Sequence, residues 1–271
     1  MADSINRNPH PDFKTVEASR PDFDASAPPF RYTKTPEPSW AFGSGRNRLA
    51  DPGASRPHVA LDPHADGRPA GLNYKLLISA VTPRPIAFIS TRSPDGRATN
   101  LAPFSYFNVV THDPPIFVIG FSSSVADAKD TLRNLLDSKE CVINIISETY
   151  LEAANAASID APFGRDEWRL TGLTPEYGCE TVRCARVREA VFSVEAKLDS
   201  VREWDSRARP GEKSGTTVFV EGTRFWVRED ALNADKSIVD PAVKGIELTR
   251  PKFNEDLGGL EGYEKLAERN P

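Results

Sequence analysis

A chain of 271 residues with 39% hydrophobic content has material for one sizeable core plus extensions, and its formal charge of −5 argues against nucleic acid, whose binders carry a basic surplus or stripe. Three cysteines, Cys141, Cys179 and Cys184, form neither an even set nor a CxxC pair, which speaks against a disulfide framework and a zinc site. With no apolar signal core at the N-terminus and no apolar run of about 18 residues, the chain reads as cytoplasmic, with no membrane segment.

Residues 1–71 hold 11 of the 23 prolines and three of the four histidines. Proline removes backbone donors and breaks helices and ladders, so this stretch is expected to be an extension rather than a layer of the fold. The composition is that of a disordered segment, but Phe13, Phe23, Phe30, Tyr32, Trp40 and Phe42 make it unusually aromatic for a free tail, and the stretch is expected to be partly docked, on the core or on a partner subunit, or disordered. Asp62, His64 and Asp66 could converge in a turn, but such clusters are common in solvated loops and no metal site is assigned.

From Pro85 the pattern changes. The apolar run Ile86 to Ile89 followed by Ser93-Pro94-Asp95-Gly96 predicts a β-hairpin, its second strand running from Arg97 to Phe107 with Pro103 at an edge, a bulge or a break. Ile116 to Phe121 and Cys141 to Ile146 read as buried strands. Between them Ser124 and Asp127 resemble a capping box, and Leu132, Leu135 and Leu136 share one face of a helix predicted over about 125–137. A second helix is predicted around Tyr150 to Ala157. Phe192, Val194, Ala196 and Leu198 alternate with polar residues, as in a half-buried strand, and Thr217 to Val227 reads as a further strand or hairpin interrupted at Gly222. Short strands with few helices point to a mainly β barrel or sandwich. Residues 254–271 read as a surface tail.

Several chemistries find no footing. Gly43-Ser44-Gly45 follows no strand and lacks a third glycine in register, and there is no GxxxxGK[ST] loop. His112, the only histidine outside the extension, lies in a loop with no serine elbow, so a Ser/His/Asp site is unsupported. Lys129-Asp130-Thr131, by contrast, falls in the first turns of a helix after a strand, where unpaired amides, the helix dipole, an ammonium and a hydroxyl favour a phosphate. Thr99 to Phe107 places small, hydrogen-bonding and proline residues where a plain strand should continue, leaving backbone groups that can meet the edge of a planar heterocycle.

Thr82-Pro83-Arg84-Pro85-Ile86-Ala87, Ser90-Thr91, Asn100 to Phe107, Pro114-Pro115 and Lys129-Asp130-Thr131 with Asn144, in this order, resemble the flavin reductase-like, FMN-binding split-barrel family. The resemblance covers about residues 74–253, ending on Leu248 to Lys252, and implies a six-stranded Greek-key barrel over 72–253 that dimerises and binds FMN, rather than FAD, near its interface. It implies that Arg84, Thr91, Lys129 and Thr131 face the FMN phosphate. Asn100, Leu101, Ala102 and Ser105 would line the isoalloxazine, with Phe121 and Ser122 nearby. It further implies hydride transfer from NAD(P)H to flavin, with electrons passing to a small acceptor, oxygen or a partner monooxygenase; a non-catalytic electron carrier or dimeric interaction module is the alternative. Two departures are visible. Where many relatives carry a histidine-containing strand, this chain reads Ser214 to Thr223 without histidine, and the Arg-Leu-Gly-Gly loop of many relatives is absent between Pro241 and Arg250.

Overall fold

The computed structural model describes residues 51–240, apart from 160 and 163, together with 13–24 and residues 26, 34, 36–38, 46 and 49. In chain order the elements are α1 (Phe13–Ala18), α2 (Ala70–Ala80), β1 (Ala87–Arg92), β2 (Thr99–Phe104), β3 (Phe107–His112), β4 (Pro115–Phe121), α3 (Asp130–Ser138), β5 (Glu140–Ile145), α4 (Leu151–Ala156), α5 (Glu167–Thr171), β6 (Pro175–Glu176), β7 (Arg186–Val187), β8 (Phe192–Asp205) and β9 (Lys213–Val227). Seven strands form one antiparallel sheet in the order β2-β1-β5-β8-β9-β4-β3, and β6 pairs with β7 alone. The two outer strands, β2 and β3, are consecutive in the chain and separated only by Ser105 and Tyr106, so the bend there joins the ends of the sheet. The sheet has seven strands where six were predicted, because Phe107–His112, read as a loop from the sequence, pairs with β4 as β3. The return of β9 to lie beside β4 gives the long-range pairing of a Greek key.

β1 shows why the fold forms. A strand alternates its side chains between faces: Ala87 and Ile89 enter the main core with Phe117, Ile119, Val194 and Val218, while Phe88 enters a second cluster with Leu101, Tyr150, Trp168 and Val187. Both faces are covered, and Ala87 to Ile89 are therefore apolar without alternation, before Ser90 and Thr91, which are also buried. Leu132 and Leu135 of α3 join the main core, each at 0% exposure. Burying side chains of this size stabilises by about 1.5–3 kcal/mol each. α4 and α5 close the second cluster.

Four predictions needed revision. α3 starts at Asp130, about five residues later than expected: Ser124 and Asp127 do exchange hydrogen bonds, Ser124 Oγ to Asp127 Oδ2 at 2.9 Å and Asp127 N to Ser124 Oγ at 3.0 Å, but they close an isolated turn rather than a helix. β8 is buried on both faces over 193–196 instead of half-buried, because the loop from Tyr177 to Val187 covers its outer side. β9 continues through Gly222, which sits at a register shift opposite Ala196; a Cβ there would meet Val194 Cγ1 at 3.0 Å. His112 ends β3 instead of lying in a loop, and it is exposed.

Of the aromatic residues expected to dock the extension, Phe23 is 88% exposed and does not pack on the core of its own chain. The side chain of Phe13, and Phe30, Tyr32, Trp40 and Phe42, lie outside the described residues, as do Leu248 to Lys252 and the 254–271 tail. Asp62 Oδ1 accepts from the His64 amide at 2.8 Å, an ordinary Asx turn. No described helix is long and apolar enough to cross a membrane.

Candidate functional site

The polar residues picked out from sequence gather where β1, β2, α3 and α5 meet. Lys129 is the N-cap of α3, with extended φ of −72° and ψ of 168°, and the amides of the following turn lack acceptors within the helix. Lys129 itself is exposed, whereas Thr131 is 3% exposed and its hydroxyl donates to Asn100 Oδ1. Asn100 stands opposite Thr91 in the β1–β2 ladder. Thr91 Oγ1 accepts from Asn134 Nδ2 at 3.3 Å, and Asn134 Oδ1 is buried without a hydrogen-bond partner. Thr91, Asn100, Thr131 and Asn134 thus form one buried polar patch behind the first turn of α3.

Asn134 was missed by sequence reasoning, and so was a fifth member, Glu167 of α5. Its Oε2 accepts from Asn100 Nδ2 at 3.2 Å and from the Leu101 amide at 3.3 Å. Burial pushes the Glu167 carboxyl up to about 7; the bonds from Leu101 and Asn100 work against that, and the nearby Asp130 carboxyl adds to it. Asp130 is itself raised, mainly by burial, despite accepting from the Gly164 amide at 3.3 Å. The only local sign of α5 is Asp166, whose side chain caps the helix by accepting from Trp168 N.

The remaining predicted residues divide. Arg84 does not join Thr91, Lys129 and Thr131. Its guanidinium donates to the Ile78 carbonyl at 2.9 Å and to the Val81 carbonyl, capping the C-terminal end of α2, and to Ser105 Oγ at 3.4 Å. Ser105 lies just past the end of β2, five residues after Asn100 and at most about 17 Å away at about 3.3 Å per residue. Ala102 and Ser105 are half-buried and open to contact. The Leu101 side chain, at 0% exposure, points into the second cluster, so only its backbone faces the patch. Phe121 packs edge-on against Phe104 with ring centroids 4.9 Å apart, inside the core, and Ser122 beyond it is exposed. Asn144 is structural: its Oδ1 accepts from Val187 N at 2.9 Å and Ser193 Oγ at 2.8 Å, and its Nδ2 donates to the Phe88 carbonyl at 2.9 Å. Among the described residues no group of three or more His, Cys, Asp or Glu could hold a metal ion.

The flavin reductase like domain family matches residues 79–241. An uncharacterized protein of Aquifex aeolicus is 43% identical over 126 residues, which cover 46% of this chain and 63% of the relative. YwrF of Bacillus subtilis, also uncharacterized, is 37% identical over 175 residues, covering 65% of this chain and 83% of YwrF. The matched stretch is thus less than two thirds of the Aquifex relative's length. Among solved structures, nitrilotriacetate monooxygenase component B from Bacillus cereus superposes with a TM-score of 0.62 at 28% identity, covering 69% of this chain and 88% of that one. The 2-nitrobenzoate 2-nitroreductase NbaA of Pseudomonas fluorescens superposes with a TM-score of 0.56 at 26% identity, covering 73% of this chain and 98% of that one. A split-barrel protein from Shewanella frigidimarina shares the fold, with a TM-score of 0.53 at 20% identity over 67% of this chain and 92% of that one. With a family match that spans more than half of the 271 residues, on a barrel whose ends meet at the β2–β3 bend, this chain belongs to the flavin reductase like domain family.

Proposed function

We propose that the protein is an FMN-dependent oxidoreductase of the flavin reductase type, taking hydride from NAD(P)H and passing electrons to a second acceptor. The observation that carries this reading is the convergence of β2 on the first turn of α3, joined by the bond from Thr131 to Asn100. An anion meets unpaired amides and Lys129 at that turn, and a planar ring meets Ala102 and Ser105 farther along β2. The donors suit a phosphate at the α3 turn and the edge of a heterocycle beside β2. In this arrangement Lys129 neutralises phosphate charge; Thr91, Asn100 and Thr131 support that end from behind. Arg84 acts at the Ser105 end, where it fixes the loop beside the ring. When bound, the flavin supplies the hydride and electron chemistry, so the protein's groups bind, orient and exclude water.

The homodimer implied by the family is supported by α2, which buries only Gly71 and exposes Leu72, Tyr74, Leu76 and Leu77. Val109 and Val110 of β3 are also exposed, at 57% and 53%. Apolar surface of this kind marks an interface. The Bacillus cereus protein's name supports a monooxygenase partner, and that of NbaA supports direct reduction of a small organic acceptor.

The test is the visible spectrum of protein reconstituted with FMN, followed by NADH or NADPH under nitrogen. Bleaching on addition of one nicotinamide is expected; bound flavin that neither nicotinamide reduces would leave an electron carrier. Turnover with excess free FMN then separates a supplier of reduced flavin from an enzyme that keeps its cofactor. Lys129→Ala is expected to weaken FMN binding by about 1.5–3 kcal/mol, the worth of a charge-assisted hydrogen bond.

A further inference from the structure

Glu167 lies behind the proposed cofactor site, bonded to the strand that carries Asn100. Its carboxyl is buried, with the residue 5% exposed, and it bonds both the side chain of Asn100 and the main chain of Leu101 on the strand that ends the sheet. Through Asn100 the chain of hydrogen bonds continues to the Thr131 hydroxyl in the first turn of α3. An amide side chain can present either its oxygen or its NH2. With a carboxylate taking the NH2, Asn100 turns its oxygen to Thr131. Resting on the flavin reading, we infer that Glu167 is a positioning residue of the cofactor site: it fixes the Asn100 amide and the β2 edge against the first turn of α3, and its charge state sets how tightly a phosphate dianion binds there.

The groups that act on this carboxyl are few. α3 contributes the Asp130 carboxyl, which Arg133 and Lys129 draw towards its charged form. β2 contributes the neutral Asn100 amide and the Leu101 N–H. Next to Glu167 in the chain stand Arg165, which is exposed, and Asp166, whose side chain accepts from Trp168 N; on α4 the acidic residue is Glu152, which is exposed. Of these, only the carboxyls of Glu167 and Asp130 lie buried or half-buried beside the α3 turn, and Glu167, raised to about 7 chiefly by burial, changes charge closest to neutrality. A dianion arriving at the α3 turn repels the ionised form and raises Glu167 further, so binding above pH 7 takes up a proton. Affinity then falls as pH rises.

The test measures the FMN dissociation constant between pH 7.0 and 8.5, where the phosphate stays doubly ionised, for the wild type and Glu167→Gln, with riboflavin as the ligand that lacks phosphate. Wild-type affinity for FMN is expected to weaken several-fold, up to roughly tenfold per linked proton per pH unit. Glu167→Gln, which keeps a hydrogen-bond acceptor for Asn100 and Leu101, is expected to bind FMN with a flat profile, and riboflavin binding to the wild type is expected to be flat as well. A Glu167→Gln profile as steep as the wild type overturns the inference. Calorimetry of the wild type at pH 7.5 in two buffers of different ionisation heat provides a check that needs no variant: proton uptake on FMN binding is expected, and zero uptake overturns the inference even if the variant does not fold. Failure of the wild type to bind FMN at any pH would instead overturn the flavin reading itself.

Discussion

The buried carboxylate of Glu195 should be a main anchor of the loop that covers β8, and its removal offers a quantitative test of the packing. Glu195 has 0% exposure and accepts from Glu180 N at 2.9 Å, Thr181 N at 2.6 Å, Thr181 Oγ1 at 2.5 Å and Trp226 Nε1 at 2.6 Å. Burial alone would raise its pKa, but the Thr181, Trp226 and Glu180 donors outweigh it and hold the carboxyl at about 2, below the ordinary glutamate value of 4.5. That gap corresponds to about 3 kcal/mol of folding stability. The folded value is depressed, so the contribution is fully present above pH 4.5 and is lost as pH falls towards 2. In Glu195→Gln the new NH2 group must face a donor that previously met an oxygen, leaving a buried group unsatisfied as well. We expect urea unfolding at pH 7 to show a loss of about 3 kcal/mol with an unchanged m-value. We also expect the stability of the variant to fall less steeply than that of the wild type between pH 4.5 and pH 3. A variant within about 0.5 kcal/mol of wild type at pH 7, or with the same acid slope, would refute the assignment of Glu195 as a charged anchor.

Three further outcomes follow from the geometry. Asn144→Leu deletes three buried hydrogen bonds that tie β1, β7 and β8, and should cost about 2–4 kcal/mol in chemical unfolding because Val187 N and the Phe88 carbonyl lose their partner. Gly120→Ala should destabilise by about 1–3 kcal/mol, since its Cβ would meet Cβ of Tyr106, in the bend just before β3, at 2.9 Å; a thermal midpoint equal to that of the wild type would argue that the β2–β3 bend is pliable. Leu77→Glu, on an exposed face of α2, is expected to shift the sedimentation profile towards monomer while leaving far-UV circular dichroism unchanged; a profile identical to the wild type would remove α2 from the dimer interface.

What could be read from the sequence was whatever repeats locally. Ile86 to Ile89 is apolar without interruption, and Cys141 to Ile146 is broken only by Asn144, because both faces of their strands are covered, a property written into consecutive residues. The β1–β2 turn was equally visible, since Gly96 adopts φ of 76° where a β-carbon is strained. The start of α3 was misjudged because a Ser-x-x-Asp pair closes a turn just as well as it caps a helix, and only the tertiary placement of Lys129 decides between them. The bonds of Arg84 to α2 were not legible for a related reason: a cation suits a phosphate or a helix C-terminus equally, and the carbonyls of Ile78 and Val81 lie near in the chain. Glu167 marks the limit most clearly. Its partners, Asn100 and Leu101, lie 67 and 66 residues away, and α5 has only five residues, too few for a periodic pattern to single out one face. An isolated glutamate beside tryptophan reads as a solvated surface residue unless the fold is known. The residues that would touch a cofactor therefore left a motif in the sequence, while the residue that orients them left almost none. A substitution at Glu167 would look neutral by composition even though it removes the link between the two halves of the site.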